Sequence, residues 1–332
     1  MMGQTSAIEW TDATWNPWQG CTKVSPACAH CYMFREMKRY GKDPAIVRRS
    51  MPSTFRLPLK QKRTGEHAIP SGWKIFVCSW SDFFHEWADA WRDDAWEIMR
   101  TRRDVVYQLV TKRPERILDH LPADWGEGWP HVWVGTTVED QERAKQRLPI
   151  LSRIPAAVRW VSYEPALGPI KWGQHLKKLD WIVCGGESGP QARPMHPDWA
   201  RSTRDECQAA GVSFFFKQWG EWHSEASGNY ATGEGQYRYG KVAGLAMLRD
   251  GSVCLMSNAE CPAGKLTLVN EYALSRFTRF CRRLHNAKDE TEAQRIEKSF
   301  DPGYQWMQRI GRDAAGRELD GCTWDEFPQV AS

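Results

Sequence analysis

The sequence predicts an α/β protein: a partial or complete (β/α) TIM-type barrel over residues 1–220, with a C-terminal α+β extension over residues 221–332 packing on it. Two observations predict this. Short apolar runs, rich in β-branched and aromatic residues, recur at the spacing of roughly 30 residues that a βα unit needs. Amphipathic stretches long enough for helices lie between them. A strand that is apolar throughout is one buried on both faces, as in a parallel sheet covered by helices. Sequence does not report closure of such a sheet, so an open doubly wound sheet is the alternative.

The strand candidates are Lys74–Cys78, Val105–Val110, His131–Thr136, Arg159–Tyr163, Trp181–Cys184 and Ser213–Lys217, with one more expected before or around the first cysteines. Glu86–Arg103 sets Trp87, Trp91, Ile98 and Met99 among charges and reads as a helix, as do Glu139–Leu151 and Pro197–Ala210. Pro197 stands where a first helical turn accepts proline. Beyond Gly220 the pattern changes. Residues 221–265 are rich in Gly, Ser, Asn and Tyr and carry the hairpin signal Arg249-Asp250-Gly251. Glu271–His285 has helical periodicity, with Phe277, Phe280, Cys281 and Leu284 on one face and Arg276, Arg279 and Arg283 as a second stripe. The tail after Gly316 is expected to pack back on the body through Trp324 and Phe327.

Hydrophobic residues at 41% and charged residues at 26% exclude a disordered chain. No run approaches the length of a membrane span, and the N-terminus lacks the basic and apolar regions of a signal peptide. The expected location is therefore cytoplasmic, with no membrane partner. Ten cysteines there are expected to be reduced, and clustered ones suggest metal binding rather than disulfides. Nineteen tryptophans supply core area, or stacking surfaces for bases and sugars. Residues 1–66 carry eleven Lys or Arg against five Asp or Glu, while the whole chain is only +4. A basic N-terminal segment is compatible with a phosphate-bearing partner and equally with a solvated surface.

The strongest chemical signal is Cys21-x6-Cys28-x2-Cys31-Tyr32. Thiolates are soft ligands suited to zinc or to iron–sulfur clusters. A structural zinc site closes with four ligands, and no fourth stands at metal-ligand spacing, although His30 lies inside the motif. Three ligands leave one metal position open. Three buried cysteines without metal remain the bland alternative. Cys254, Cys261 and Cys281 are a looser candidate for a second metal.

The residues around this motif carry a resemblance. Ile8-Glu9-Trp10-Thr11-Asp12-Ala13-Thr14-Trp15-Asn16-Pro17-Trp18, then Gly20-Cys21 and Val24-Ser25-Pro26 leading to Cys28 and Cys31-Tyr32, resemble the bacteriophage-associated three-Cys-motif proteins, a family placed in or near the radical S-adenosylmethionine superfamily. The likeness continues through Thr111-Lys112-Arg113-Pro114, Glu164-Pro165, Gly185-Gly186-Glu187-Ser188-Gly189-Pro190, Lys217-Gln218-Trp219-Gly220 and Trp324-Asp325-Glu326-Phe327-Pro328. It covers most of the chain outside roughly residues 225–300. The first cysteine gap is longer than the superfamily's usual C-x3-C. The resemblance implies a 4Fe-4S cluster on Cys21, Cys28 and Cys31, S-adenosyl-L-methionine as co-substrate, a 5′-deoxyadenosyl radical and an external electron donor. If the chain is phage-encoded, its place is the host cytoplasm.

In barrel enzymes functional residues stand at the C-terminal ends of strands. That rule nominates Ser79 and Asp82 for the cofactor, where the superfamily's second strand supplies polar groups, although Ser81 or Asp82 also suits a helix N-cap. It nominates Lys112, beside Arg113, to grip a carboxylate or phosphate. Thr136, with Thr137 and Glu139 beside it, and Glu164 are candidates for ribose or base contacts, and Gly185, Gly186 and Glu187 form a loop that lets backbone approach a ligand. Cys184 or Cys78 is a candidate hydrogen-atom donor. Cys184, Glu164 and Lys112 are the catalytic candidates. The expected activity is radical chemistry on a nucleobase or nucleotide. The alternative is a zinc-bound, non-catalytic nucleic-acid-binding protein.

Overall fold

The structure, a computed structural model, describes residues 5–224, 244–248, 253–255 and 304–329. The chain opens with β1 (Ala13–Trp15) and β2 (Trp18–Gln19), followed by the cysteine loop, α1 (Tyr32–Arg39), β3 (Arg48–Arg49) and α2 (Pro52–Phe55). Then βα units begin: β4 (Lys74–Val77), α3 (Asp89–Thr101), β5 (Val106–Thr111), β6 (Val132–Thr137), α4 (Gln141–Leu151), β7 (Val158–Tyr163), β8 (Trp181–Gly185), α5 (Pro197–Ala210) and β9 (Ser213–Gln218). All six strands expected after the cysteines form within a residue or two of their expected bounds, and β1 is the seventh. The expected helix at Glu86 begins as a 3-10 turn, Glu86–Ala88, before α3. Pro197 opens α5 beneath the His196 cap, and Gly211 ends it in the left-handed region at φ 71°.

Seven strands make one parallel sheet in the order β1-β4-β5-β6-β7-β8-β9, curled into a half-barrel. Strand order equals chain order, as right-handed βα crossovers around a barrel wall require. Among the described residues the sheet remains open, with β1 and β9 as its edges. The outer edge of β9 is met by the tail. The Phe216 N–H donates to the Trp324 carbonyl at 2.9 Å, and Phe215 bridges to Asp325. The tail docks as expected, with Trp324 against Phe214 and Phe327 against Trp181 and Phe215.

Side chains alternate between two apolar layers, because successive strand residues point to opposite faces. On the helix-facing side lie Ile75, Val77, Tyr107, Leu109, Val132, Val134, Val161, Tyr163, Ile182, Cys184, Phe214 and Phe216. On the concave side lie Trp133, Trp160, Trp181, Val183 and Phe215, with Trp10 from the N-terminal segment laid across them. Trp10 meets Trp160 edge-on at 5.3 Å and Trp181 at 6.1 Å. Such pairs add about 0.5–1.5 kcal/mol each beyond burial. Four tryptophans thus fill the concave core at the N-terminal ends of the strands, while more of the buried ones lie in the larger, helix-side core.

The extension contributes an antiparallel sheet in the order β10-β13-β11-β12, from β10 (Trp222–Ser224), β11 (Gly244–Leu248), β12 (Val253–Leu255) and β13 (Tyr304–Arg309). It then adds α6 (Arg312–Ala315), β14 (Glu318–Leu319) and β15 (Cys322–Thr323). β11 and β12 pair on either side of the hairpin signal at Arg249-Asp250-Gly251, whose residues lie outside the described ones. So do the helix expected at 271–285 with its arginine stripe, Cys261 and Cys281; Cys254 lies on β12. Among the described residues, no helix is long and apolar enough to cross a membrane.

Candidate active site

The cysteine loop leaves β2 through Gly20. Its φ is +99°, and a Cβ there would lie 2.4 Å from the Ile46 carbonyl oxygen, so glycine is required on two counts. The Cys21 N–H donates to the Pro44 carbonyl at 2.8 Å, which fastens the loop to the segment before β3. From the end of β4, the Ser81 hydroxyl donates to the Gly20 carbonyl at 2.5 Å. Asn16 holds the same strand end, donating to Ser79 Oγ at 2.9 Å and accepting from the Trp80 N–H at 2.7 Å. Past Cys31 the chain turns into α1, and the Tyr32 hydroxyl donates to the Ser79 carbonyl.

Two ion pairs grip this loop, the first buried and the second with its arginine partly exposed. Arg113, at the end of β5, pairs with Asp82 at 3.2 Å, both side chains only 6% exposed. The same guanidinium reaches Cys21 Sγ at 3.7 Å and donates to the Thr22 hydroxyl at 2.6 Å and its carbonyl at 3.2 Å. Asp82 also accepts from the Thr111 hydroxyl at 2.6 Å and from the Lys112 N–H at 3.0 Å. The second pair is Glu187 with Arg193, joined through Nη2 at 2.5 Å and Nε at 2.8 Å, with His30 at 3.2 Å on the same carboxylate. Arg193 also donates to the Pro26 carbonyl at 3.1 Å. Burial opposes ionisation of Glu187, yet these donors hold its carboxyl below the usual glutamate range.

The two cations treat the thiols differently. Burial pushes Cys21 up to about 12, with Asp82 adding to the shift and Arg113 opposing it. At Cys28 burial is outweighed by the Lys112 ammonium and by hydrogen bonds from Val24 and Ser25, so this thiol lies below its ordinary range. A bound metal deprotonates a coordinating thiol outright, whatever its free value.

Cys21, Cys28 and Cys31 line one cavity of about 590 Å³ at the C-terminal ends of the strands. Its far wall is made of side chains that share the concave face with the tryptophans. Stepping by two along each strand from the apolar layer gives Lys112 just past β5, Thr137 on β6, Ser162 on β7 and Glu164 just past it, and Lys217 on β9. Lys217 Nζ pairs with Glu164 Oε1 at 2.9 Å, and Lys112 Nζ lies 3.3 Å from Thr137 Oγ1. The wall therefore offers two cations, one carboxylate and two hydroxyls opposite three thiols.

Of the residues nominated from sequence, Cys78, Ser79, Asp82, Lys112, Glu164, Gly186 and Glu187 line the cavity with the three cysteines, while Gly185 is not among the lining residues. Thr136 does not. It points to the helix side and donates to the Thr111 carbonyl at 2.8 Å, while its neighbour Thr137 faces the cavity. Cys184 sits wholly buried in the helix-facing core, where burial raises its thiol well above the ordinary range, so the catalytic expectation for it is corrected. Gly186 owes its identity to the fold: a Cβ would lie 1.9 Å from the Trp219 carbonyl oxygen. A Cβ on Gly185 would come 3.2 Å from the Glu164 carboxylate. Arg113 and Thr137, noted in the sequence beside Lys112 and Thr136, line the cavity, as do Tyr32, Ser162 and Lys217, which the strand-end rule did not single out. Strand parity groups Thr137, Ser162 and Lys217 with the aromatic layer once packing has shown which face is which.

Three thiols of one loop, cations beside two of them and room for a bulky group give a donor set that fits an iron–sulfur cluster. In a cluster each cysteine binds a different iron, so the sulfurs stand apart around it. Among the described residues, no three His, Cys, Asp or Glu side chains converge tightly enough to hold a single metal ion.

A family model described as a protein of unknown function, DUF5131, matches residues 5–328. The chain belongs to the DUF5131 family. The match runs from the segment ahead of β1 to the docked tail, so the family unit takes in both the half-barrel and the extension. No curated protein and no solved structure matches the chain.

Proposed function

We propose that this DUF5131 protein is a radical S-adenosylmethionine enzyme, with Cys21, Cys28 and Cys31 as the ligands of a 4Fe-4S cluster and a nucleobase or nucleotide as substrate. The observation that carries the reading is the cavity, in which all three thiols face the polar, inward-pointing ends of the strands. The resemblance to the three-Cys-motif proteins supports it. When bound, such a cluster would supply the electron, drawn from an external donor, that cleaves S-adenosylmethionine to methionine and a 5′-deoxyadenosyl radical.

The protein's own residues have separable roles. Arg113 fixes the backbone and side chain at Thr22, and with it the direction of Cys21. Glu187, Arg193 and His30 clamp the loop around Cys28 and Cys31. Lys112 favours the thiolate of Cys28. Glu164 accepts hydrogen bonds while Lys217 and Lys112 donate them, a pattern able to orient an amino acid head group or a base edge. The tryptophan layer below excludes water from the floor of the cavity.

Anaerobic reconstitution with iron and sulfide, followed by dithionite and S-adenosylmethionine, tests the reading. The expected protein is brown and releases 5′-deoxyadenosine, and Cys28→Ala loses both properties. Retained cleavage in that variant overturns the ligand assignment. A colourless protein carrying one zinc would replace this reading with a zinc-bound, non-catalytic one. A brown protein that makes no deoxyadenosine would leave a redox cluster alone.

A further inference from the structure

The basic charge of the N-terminal region is concentrated in one stretch. Residues 35–63 hold ten Lys or Arg against two Asp or Glu, and all ten cations are exposed. Carboxylates pair with Arg35, Arg39, Arg49 and Lys62. Lys38, Lys42, Arg48, Arg56, Lys60 and Arg63 have no carboxylate partner among the described residues. A folded surface that leaves six cations uncompensated repels itself, which favours an anionic partner.

The stretch lies against the cysteine loop. β3 pairs with β2, placing Arg48 opposite Gln19 and Arg49 opposite Trp18, two or three residues before Cys21. A second cavity, of about 370 Å³, opens there between α1 and β3, with Lys42, Arg48 and Arg49 on its wall. α1 separates the two cavities. Arg35 in its first half lines the larger one and Met37 in its second half the smaller, across a helix of eight residues, roughly 12 Å long.

We propose that residues 38–63 form a ledge that binds the phosphate backbone of a single strand of nucleic acid beside the cysteine cavity. Charge complementarity selects a polyanion. Tyr40, at 66% exposure, stands among the cations as a stacking face, and Tyr32, at 43%, marks the cavity end of α1, the combination of cations and aromatic faces that unpaired strands use. An anionic membrane suits the ledge less, because membrane-surface helices keep their apolar face free for lipid, whereas Met33 and Met37 of α1 are buried against the body. A flexible strand also suits a recessed cavity, since a base inside a duplex must first be unstacked to reach one. Delivery of a nucleotide to the cavity rests on the function proposed above; binding to the ledge does not.

The test uses the full chain without cluster reconstitution, so its outcome is independent of colour and of deoxyadenosine release. Fluorescence anisotropy follows a labelled oligodeoxythymidylate of about 20 nucleotides across a salt series. Tight binding at low salt is expected, weakening steeply as salt rises. The triple variant Lys42→Glu, Arg48→Glu, Arg56→Glu should lose at least about tenfold in affinity and reduce the salt slope by about 2. The matching Gln variant should fall between, and circular dichroism should show both folded. Lys177→Glu with Lys178→Glu, on the 3-10 turn that leads into the opposite end of the sheet, should bind as the parent does. Unchanged affinity in the triple Glu variant overturns the proposal. So does equal or tighter binding of the corresponding duplex, or binding of phosphatidylserine vesicles in preference to the strand.

Discussion

At the residue scale the site depends on a few groups that have no room to vary. Arg113 and Asp82 are buried together, and removing one partner of such a pair leaves an uncompensated charge. Arg113→Met is expected to cost about 3–5 kcal/mol by chemical denaturation and to lower the iron bound on reconstitution. The second readout separates loop positioning from bulk stability, because a variant of matched instability elsewhere should retain its iron. Gly186→Ala forces a methyl group onto the Trp219 carbonyl, which backbone cannot easily yield. A loss of about 1–3 kcal/mol or more is expected from its thermal melt. Nothing in the spacing of the sequence distinguishes this steric glycine from one that makes space for a ligand; the chain that crowds it comes from the end of β9.

At the scale of the element, strand parity divides adjacent residues into different roles. Thr137 and Thr136 are sequence neighbours, yet one faces the cavity and the other caps a backbone carbonyl in the core. Thr136→Val should therefore cost about 1 kcal/mol in stability, the worth of one buried hydrogen bond, and leave ligand affinity unchanged. Thr137→Val and Lys217→Met should do the reverse, weakening S-adenosylmethionine or nucleotide binding in titration calorimetry while the melting temperature stays near that of the parent. Affinity lost in Thr136→Val and kept in Thr137→Val would mean that the strand faces are assigned the wrong way round. The strand positions themselves were legible because fully buried parallel strands are apolar on both faces. That same property hid the faces: a strand apolar at every position shows no alternation until tertiary packing separates the aromatic layer from the aliphatic one.

At the scale of the whole molecule, the tail closes the edge of an open sheet. Asp320 receives Arg201 at 2.8 Å and Arg204 at 2.7 Å from α5, and the hydrogen bond from Arg201 leads the effects that hold its carboxyl below the usual aspartate range. A carboxyl lowered by folding stabilises the docked tail above the ordinary aspartate range, and that contribution is lost as pH falls through the lowered value. Hydrogen-exchange protection factors in residues 318–328, with the intrinsic pH dependence of exchange divided out, should accordingly fall below about pH 4 relative to neutral pH. In Asp320→Asn they should be low at both, and a tail equally protected at both pH values in the parent would exclude this role. Phe327 against Trp181 and the Trp324–Glu326 backbone against β9 retain part of the docking at low pH, so loosening rather than full release is expected.

The sequence by itself determined the βα repeat, the three cysteines as one motif and the docking residues of the tail. Each of these is written locally, as a periodicity, a spacing or a pair of aromatics. It also located Lys112 and Glu164 at strand ends, where parallel half-barrels collect their functional groups. Only the tertiary structure decided that the sheet stays open, that Arg113 and Glu187 hold the cysteine loop, and that Cys184 belongs to the core rather than to the cavity. Those outcomes depend on contacts between residues far apart in the chain, such as Arg113 with Thr22 and Glu187 with His30. A local pattern cannot encode which face or which partner such a residue meets, because that choice is made when the layers pack.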